Sequence, residues 1–281
     1  MMGLSAFDRM PVIPSVMAFV IVLCQSAACL SAEGTRTKIV LIGKERDHPP
    51  RTHEYMAWCR LLGTCLEQTP GVTAVVSKGW PGDPDAFKGV DAIVLYGKHG
   101  GNVLFDPSRR EQAQRLLTKG VGLTAIHWST GAAGDEVGQL YLRTLGGWFH
   151  NSFSALKTTT LKIHQPDPRH PICRGWADYD LRDEYYLKLR FAPDIKPIMT
   201  VQADGKVYPV GWAYERADSN GGRSFGCVLG HFHEQFGLEP FRRALVNGIL
   251  WTAHRDVPGA GAPCKITPKD MNLPPDARKK K

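Results

Sequence analysis

Between residues 38 and 127 the chain alternates short apolar runs with amphipathic segments, a rhythm that predicts strands and helices in turn. KIVLIG (38–43), VTAVVS (72–77), VDAIVLYG (90–97) and VGLTAIH (121–127) are β-branched runs suited to strands buried on both faces. In HEYMAWCRLLGTCLEQT (53–69), Trp58, Leu61, Leu62, Cys65 and Leu66 recur at helical spacing and form one apolar face. A second helix is expected over 106–120, with Asp106 as N-cap, Pro107 at the first helical position and Gly120 as the stop. Strands alternating with helices pair in parallel through right-handed crossovers. The expected fold is therefore α/β, a flavodoxin-like doubly wound, mostly parallel sheet.

After about residue 150 the pattern turns strand-rich. ALKTTTLKI (155–163), EYYLKL (184–189), KPIMTVQ (196–202), VYPVGWAY (207–214) and GRSFGCVLG (222–230) are separated by turn-forming loops, and RADSNGG (216–222) reads as a hairpin turn. An added β-rich segment in the C-terminal half is expected, followed by an amphipathic helix over 238–253. No internal repeat or hinge-like linker divides the chain, so residues 38–254 read as one domain and 255–281 as a Pro/Gly-rich, basic, disordered tail.

Composition refines this picture in three places. At 43% hydrophobic the chain can bury a sizeable core. The net charge of +8 is partly carried by the basic C-terminus, and no arginine-rich or aromatic-interleaved stripe runs through the body, which argues against nucleic acid. Arg9 precedes the apolar run 11–24, too short to span a bilayer, and small residues follow at 26–34. Residues 1–32 therefore read as a signal peptide cleaved after Ala28 or Ala32, making the protein exported, periplasmic or extracellular, with no integral membrane span. In a second reading Cys29 is the acylated residue of a lipoprotein, although Ser26 stands where that signal wants Leu. Cys59, Cys65, Cys173, Cys227 and Cys264 remain, odd in number and without a CxxC pair, so they are expected as buried hydrophobes rather than disulfides or zinc thiolates.

Ligands of an open parallel sheet bind at the carboxyl ends of its strands. His127 follows one strand at a glycine-flanked turn that in hydrolases and glutamine amidotransferases carries a Ser or Cys nucleophile. No Gly-x-Ser-x-Gly or Gly-x-Cys-x-Gly is present here, and Ser129 lacks an elbow, which disfavours acyl transfer. His150 follows a Gly pair in LGGWFHNSF, Asp183 and Glu184 open a strand, and His231 and His233 follow the last apolar run. His48 and His53 lie in the loop after the first strand. In isolation each of these is more often a structural residue than a ligand, but His127, Glu184 and His231 fall where the loops of the sheet gather. Imidazoles and a carboxylate on one face suit Zn²⁺ or another divalent ion. Alternation puts His233 on the same side as His231 if the segment stays extended, whereas a turn at Gly230 makes it a packing residue.

KGVGLTAIHWST, LGGWFHNS, RHPICRG with RDEYY, GRSFGCVLGHFHEQF and FRRALVNGILWTA, in that order, make the chain resemble the ThuA-like (trehalose-utilisation) proteins, whose fold is similar to class I glutamine amidotransferases without the nucleophilic Cys. The resemblance covers about residues 38–254 and implies His127, His150, Glu184 and His231 as pocket residues, with glucosides or their 3-keto forms as ligands. The combined expectation is a carbohydrate-active enzyme with His127, Asp183, Glu184 and His231 as catalytic residues. His53, Trp128, His150, Tyr185 and His233 would bind substrate, and a metal would be held by His127, His150, Glu184 and His231. The alternative is a non-catalytic carbohydrate-binding protein using Trp80, Trp128, Trp148 and Tyr185 as stacking faces. A small carbohydrate or oxidised sugar is the expected partner, and self-association as a homo-oligomer is left open.

Overall fold

A computed structural model describes residues 36–273. The proposed signal segment and Cys29, and the last basic residues, lie outside the described residues. Strands β1 (Thr37–Gly43), β2 (Val72–Lys78), β3 (Val90–Tyr96) and β4 (Gly122–Ile126) alternate with helices α1 (Tyr55–Leu66), α2 (Gly100–Leu104) and α3 (Arg110–Thr118). Helix α4 (Asp135–Leu145) and the short strand β5 (Gly147–Trp148) lead to the hairpin of β6 (Ala155–Ile163) and β7 (Tyr179–Leu187). The chain continues through β8 (Arg190–Phe191), β9 (Lys196–Ala203), β10 (Lys206–Glu215) and β11 (Arg223–Cys227) to α5 (Glu239–Thr252).

Seven strands form the main sheet in the order β2-β1-β3-β4-β11-β10-β9. The first five are mutually parallel, and β10 and β9 add on antiparallel, so part of the expected β-rich segment extends the sheet. The hairpin β6/β7 stands as a separate two-stranded unit. The 2-1-3 order places a topological switch point between β1 and β3, next to the loops that carry the site.

Both faces of the sheet are covered, which is why the central strands read as unbroken apolar runs. Period-2 alternation on β11 shows the two sides: Phe225 meets Gly248 of α5, while the neighbouring Ser224 Oγ donates to the Thr144 carbonyl of α4 at 2.6 Å. A Cβ at Gly248 would lie 2.3 Å from Phe225 Cδ1, so glycine is what lets α5 approach this closely. All five cysteines named above are buried and free.

Three expected boundaries differ. Strand β7 begins at Tyr179 and pairs with β6 along its whole length, so Asp183 and Glu184 lie within it rather than opening it. Helix α3 starts at Arg110 rather than Asp106, because Asp106 closes its own turn by accepting from the Ser108 amide at 2.9 Å. The Pro/Gly-rich segment expected to be disordered is packed through residue 273. The Asn247 side chain accepts from the Ala262 amide, Arg242 Nε donates to the Cys264 carbonyl, and Gln68 exchanges two hydrogen bonds with the Lys265 backbone. Val257, Ala262 and Cys264 are buried. Polar side chains from α5 and the turn after α1 satisfy the backbone of this segment, a partnership that local composition cannot show.

Candidate metal centre

Three loops and one hairpin deliver the site. After β1 the chain runs through Asp47 and His48 to His53, whose φ of 49° is left-handed and delays α1 to Tyr55. His127 directly follows β4 with a φ of 53°, a strained strand-to-turn geometry of the kind that carries the nucleophile in α/β-hydrolases. Two non-glycine residues in this region cost about 1–3 kcal/mol each, which the surrounding structure must offset. The third histidine, His231, lies just beyond β11, after Gly230 turns the chain at a φ of 110°.

The loops of His53 and His231 are zipped together: Thr52 and Phe232 form an antiparallel bridge, the His53 amide donates to the His231 carbonyl at 3.0 Å, and the His233 amide donates to the Arg51 carbonyl at 2.8 Å. Asp183 of β7 secures the same turn. Its fully buried carboxylate accepts from the amides of Gly230 at 2.7 Å, His231 at 3.1 Å and Glu184 at 2.7 Å. Burial pushes this carboxyl up to about 6, against the opposing pull of those donors. Successive residues of a strand point to opposite sides, so Glu184 faces the histidines when Asp183 faces the turn.

His53 Nε2 lies 3.0 Å from His127 Nε2 and 3.0 Å from His231 Nδ1, and the latter two are 3.2 Å apart. Glu184 Oε2 is 3.3 Å from His231 Nδ1 and 3.7 Å from His127 Nε2. One donor atom from each of the four residues fits within 4.8 Å of all the others. Bonds of about 2.0–2.2 Å to a tetrahedral ion would set its donors roughly 3.3–3.6 Å apart, so the observed edges bracket a metal polyhedron.

Proton placement sharpens this. His127 Nδ1 donates to the Val228 carbonyl at 2.8 Å, leaving a lone pair on Nε2. His53 Nδ1 lies 3.0 Å from Asp47 Oδ1. Partial burial raises the Asp47 carboxyl, but hydrogen bonds from Lys44, His48 and His53 hold it well below the usual carboxylate range. An ionised Asp47 favours the proton on His53 Nδ1, from which the Tyr55 hydroxyl also lies 2.7 Å. In that tautomer Nε2 again offers a lone pair, and the 3.0 Å contact between the two Nε2 atoms has no proton to share. Burial pushes His53 down to about 4 and His127 well below the ordinary imidazole value, so both are neutral at physiological pH. For Glu184 burial acts upward, but its bond to His231 wins and the carboxyl is lowered. The neutral imidazoles of His53 and His127, each with a partner on its outer nitrogen, together with His231 and the Glu184 carboxylate, could hold a divalent ion.

Over residues 40–252 the sequence matches the ThuA family, described as trehalose utilisation. The chain belongs to the ThuA family. No curated protein matches it. A putative ThuA-like protein from Bacteroides uniformis aligns over 80% of this chain and 94% of its own with a TM-score of 0.61 at 14% identity. One from Parabacteroides merdae aligns over 85% and 100% with a TM-score of 0.60, also at 14% identity. A cytoplasmic protein from Salmonella typhimurium aligns over 77% and 99% with a TM-score of 0.53 at 14% identity. At these identities the likeness concerns the fold.

Within this ThuA fold the structure gathers His127, Glu184 and His231 as the sequence pattern anticipates, and adds His53 as a direct member of the group. His150, expected as a metal ligand, is not in it: its Nδ1 meets Ser152 Oγ at 2.7 Å and its ring stacks on Phe153. His233 points away, with Nε2 2.8 Å from the Met271 carbonyl and its ring 4.4 Å from Trp58, because the chain turns at Gly230. Asp183 is spent on the turn and does not face the group. Tyr185 and Trp148 are fully buried and offer no stacking face; Tyr185 donates to the Leu181 carbonyl at 2.6 Å, and Trp148 Nε1 to Ala132 at 3.0 Å. Trp80 packs on Phe87 and donates to Gln112. Trp128 alone of these aromatics adjoins the group, half-buried, 5.4 Å from the His53 ring and 5.3 Å from His48, with Lys98 over it at 4.8 Å. Tyr186, absent from the sequence expectations, has its hydroxyl 3.0 Å from His127 Nε2. Alternation on β7 from Glu184 would have found it.

Proposed function

We propose that this ThuA-family protein is an exported, metal-dependent enzyme acting on a glucoside or a keto-sugar. The unshared contact between His53 Nε2 and His127 Nε2 carries the reading, since two inward lone pairs at hydrogen-bond distance in a buried site call for a cation between them. A divalent ion there would supply Lewis acidity, polarising a carbonyl or lowering the pKa of water.

The residues of the chain divide the remaining work. His53, His127, His231 and Glu184 hold the ion, while Asp47 and the Val228 carbonyl fix the two ring tautomers. Trp128, beside the group and half-exposed, gives a sugar ring an apolar face to lie on, and His48 stands 5.9 Å from His231 as a group able to move protons at the mouth. The non-catalytic alternative is weakened by the burial of Trp148 and Tyr185, two of its four proposed stacking faces.

The test is incubation of the ion-loaded protein with a panel of glucosides and 3-keto-glucosides, following product by chromatography. Turnover that disappears with His127→Ala supports the enzyme. Sugar binding that survives His127→Ala with no turnover of any panel member overturns it in favour of a binding protein.

A further inference from the structure

The geometry points to Tyr186 as a fifth donor of the metal group, coordinating through its hydroxyl oxygen. This deepens the ion-site reading and rests on it. Tyr186 is 1% exposed, and its ring is held between those of Phe149, at 4.1 Å and 21°, and His127, at 4.7 Å and 27°. The phenol oxygen therefore has little freedom to swing away.

Among the described residues its hydroxyl meets the group itself, 3.0 Å from His127 Nε2, the same length as the two imidazole–imidazole edges of His53. Without an ion the hydroxyl can donate to the lone pair on His127 Nε2. An ion takes that lone pair, so the proton turns to Glu184, and an oxygen lone pair is released toward the position the imidazoles share. The phenol stays neutral in this arrangement, and no proton leaves the site. The donor set becomes three imidazole nitrogens, one carboxylate oxygen and one phenol oxygen, which suits first-row divalent ions that accept five ligands. Tyr55 offers an instructive contrast: its hydroxyl contacts the outer nitrogen of His53 at 2.7 Å and Asp47 at 3.2 Å, so it supports the group from behind.

Cobalt(II) loaded into the full-length protein reads coordination number directly, because its visible bands weaken as the site goes from four donors to five. The wild type is expected to take up the ion with weak five-donor bands. In Tyr186→Phe, uptake persists and the bands strengthen several-fold. Uptake with the same bands in both proteins, or intense four-donor bands in the wild type, overturns the role of Tyr186 while leaving the four-residue site standing. No uptake by the wild type overturns the ion site and this inference together. X-ray absorption on the wild type alone, expected to show five light donors, decides the matter if Tyr186→Phe does not fold.

Discussion

His53 Nε2 and His127 Nε2 face each other at 3.0 Å, while the opposite nitrogen of His53 lies 3.0 Å from Asp47 Oδ1 and that of His127 donates to the Val228 carbonyl. A contact between two acceptors is repulsive in a buried site, and a cation between them converts the repulsion into binding energy. The ion-free protein should therefore be less stable than the loaded one. At an ion concentration about 100-fold above Kd, linkage gives about 2.7 kcal/mol. For a domain of this size that is roughly 5–10 °C in melting temperature. Thermal melts with a chelator and with added Zn²⁺ measure it, and His127→Ala should melt alike in both.

Asp47 reaches the ion only through His53, so its removal should weaken the ion without emptying the site. Asp47→Asn is expected to lower metal affinity roughly 10–100-fold at unchanged stoichiometry. Competition against a chromophoric chelator checks this, and an unchanged affinity would remove Asp47 from the account.

Much of this arrangement is legible in the chain. The apolar runs locate β1 to β4 and α1 because buried parallel strands have a distinctive continuous pattern, and the strand ends then mark His127 and His231. What sequence cannot supply is which loops touch. His53 joins the group through the Thr52–Phe232 bridge, a pairing between residues 180 positions apart in the chain. His150 sits in an equally suggestive Gly-Gly-x-x-His, but its loop spends the ring on Ser152 and Phe153. Asp183 and Glu184 could have been separated in advance, since neighbours on a strand face opposite ways.

Packing between α5 and the sheet depends on the absence of one methyl group. Gly248→Ala places a Cβ against the Phe225 ring, and overpacking of this kind costs about 1–3 kcal/mol. Urea unfolding should show that loss, while ion binding by the folded protein stays at wild-type affinity.

His170 supplies a pH dependence away from the site. Burial, with Lys196 and Arg223 adding to it and Asp167 and Glu215 opposing, lowers this imidazole from 6.5 to about 4. The unfolded chain then binds the proton more readily, so His170 supports the fold above pH 6.5 and that support is lost as pH falls toward 4. His170 is partly exposed, and solvent screening reduces the effect to about 1 kcal/mol. His170→Asn retains an acceptor for the Ile172 amide and should flatten the acid limb by that amount. Denaturant midpoints of the two proteins between pH 7 and pH 4 give the difference, from which the parallel contributions of His53 and His127 cancel.

The central claim is that His53, His127, Glu184 and His231 share one ion. Elemental analysis of the purified protein and its alanine variants after dialysis against Zn²⁺ tests it most directly. About one ion per chain is expected in the wild type and in His150→Ala, and none in His53→Ala or His231→Ala with their folds intact. An ion-free wild type, or an ion lost from His150→Ala and kept by His53→Ala, would contradict it.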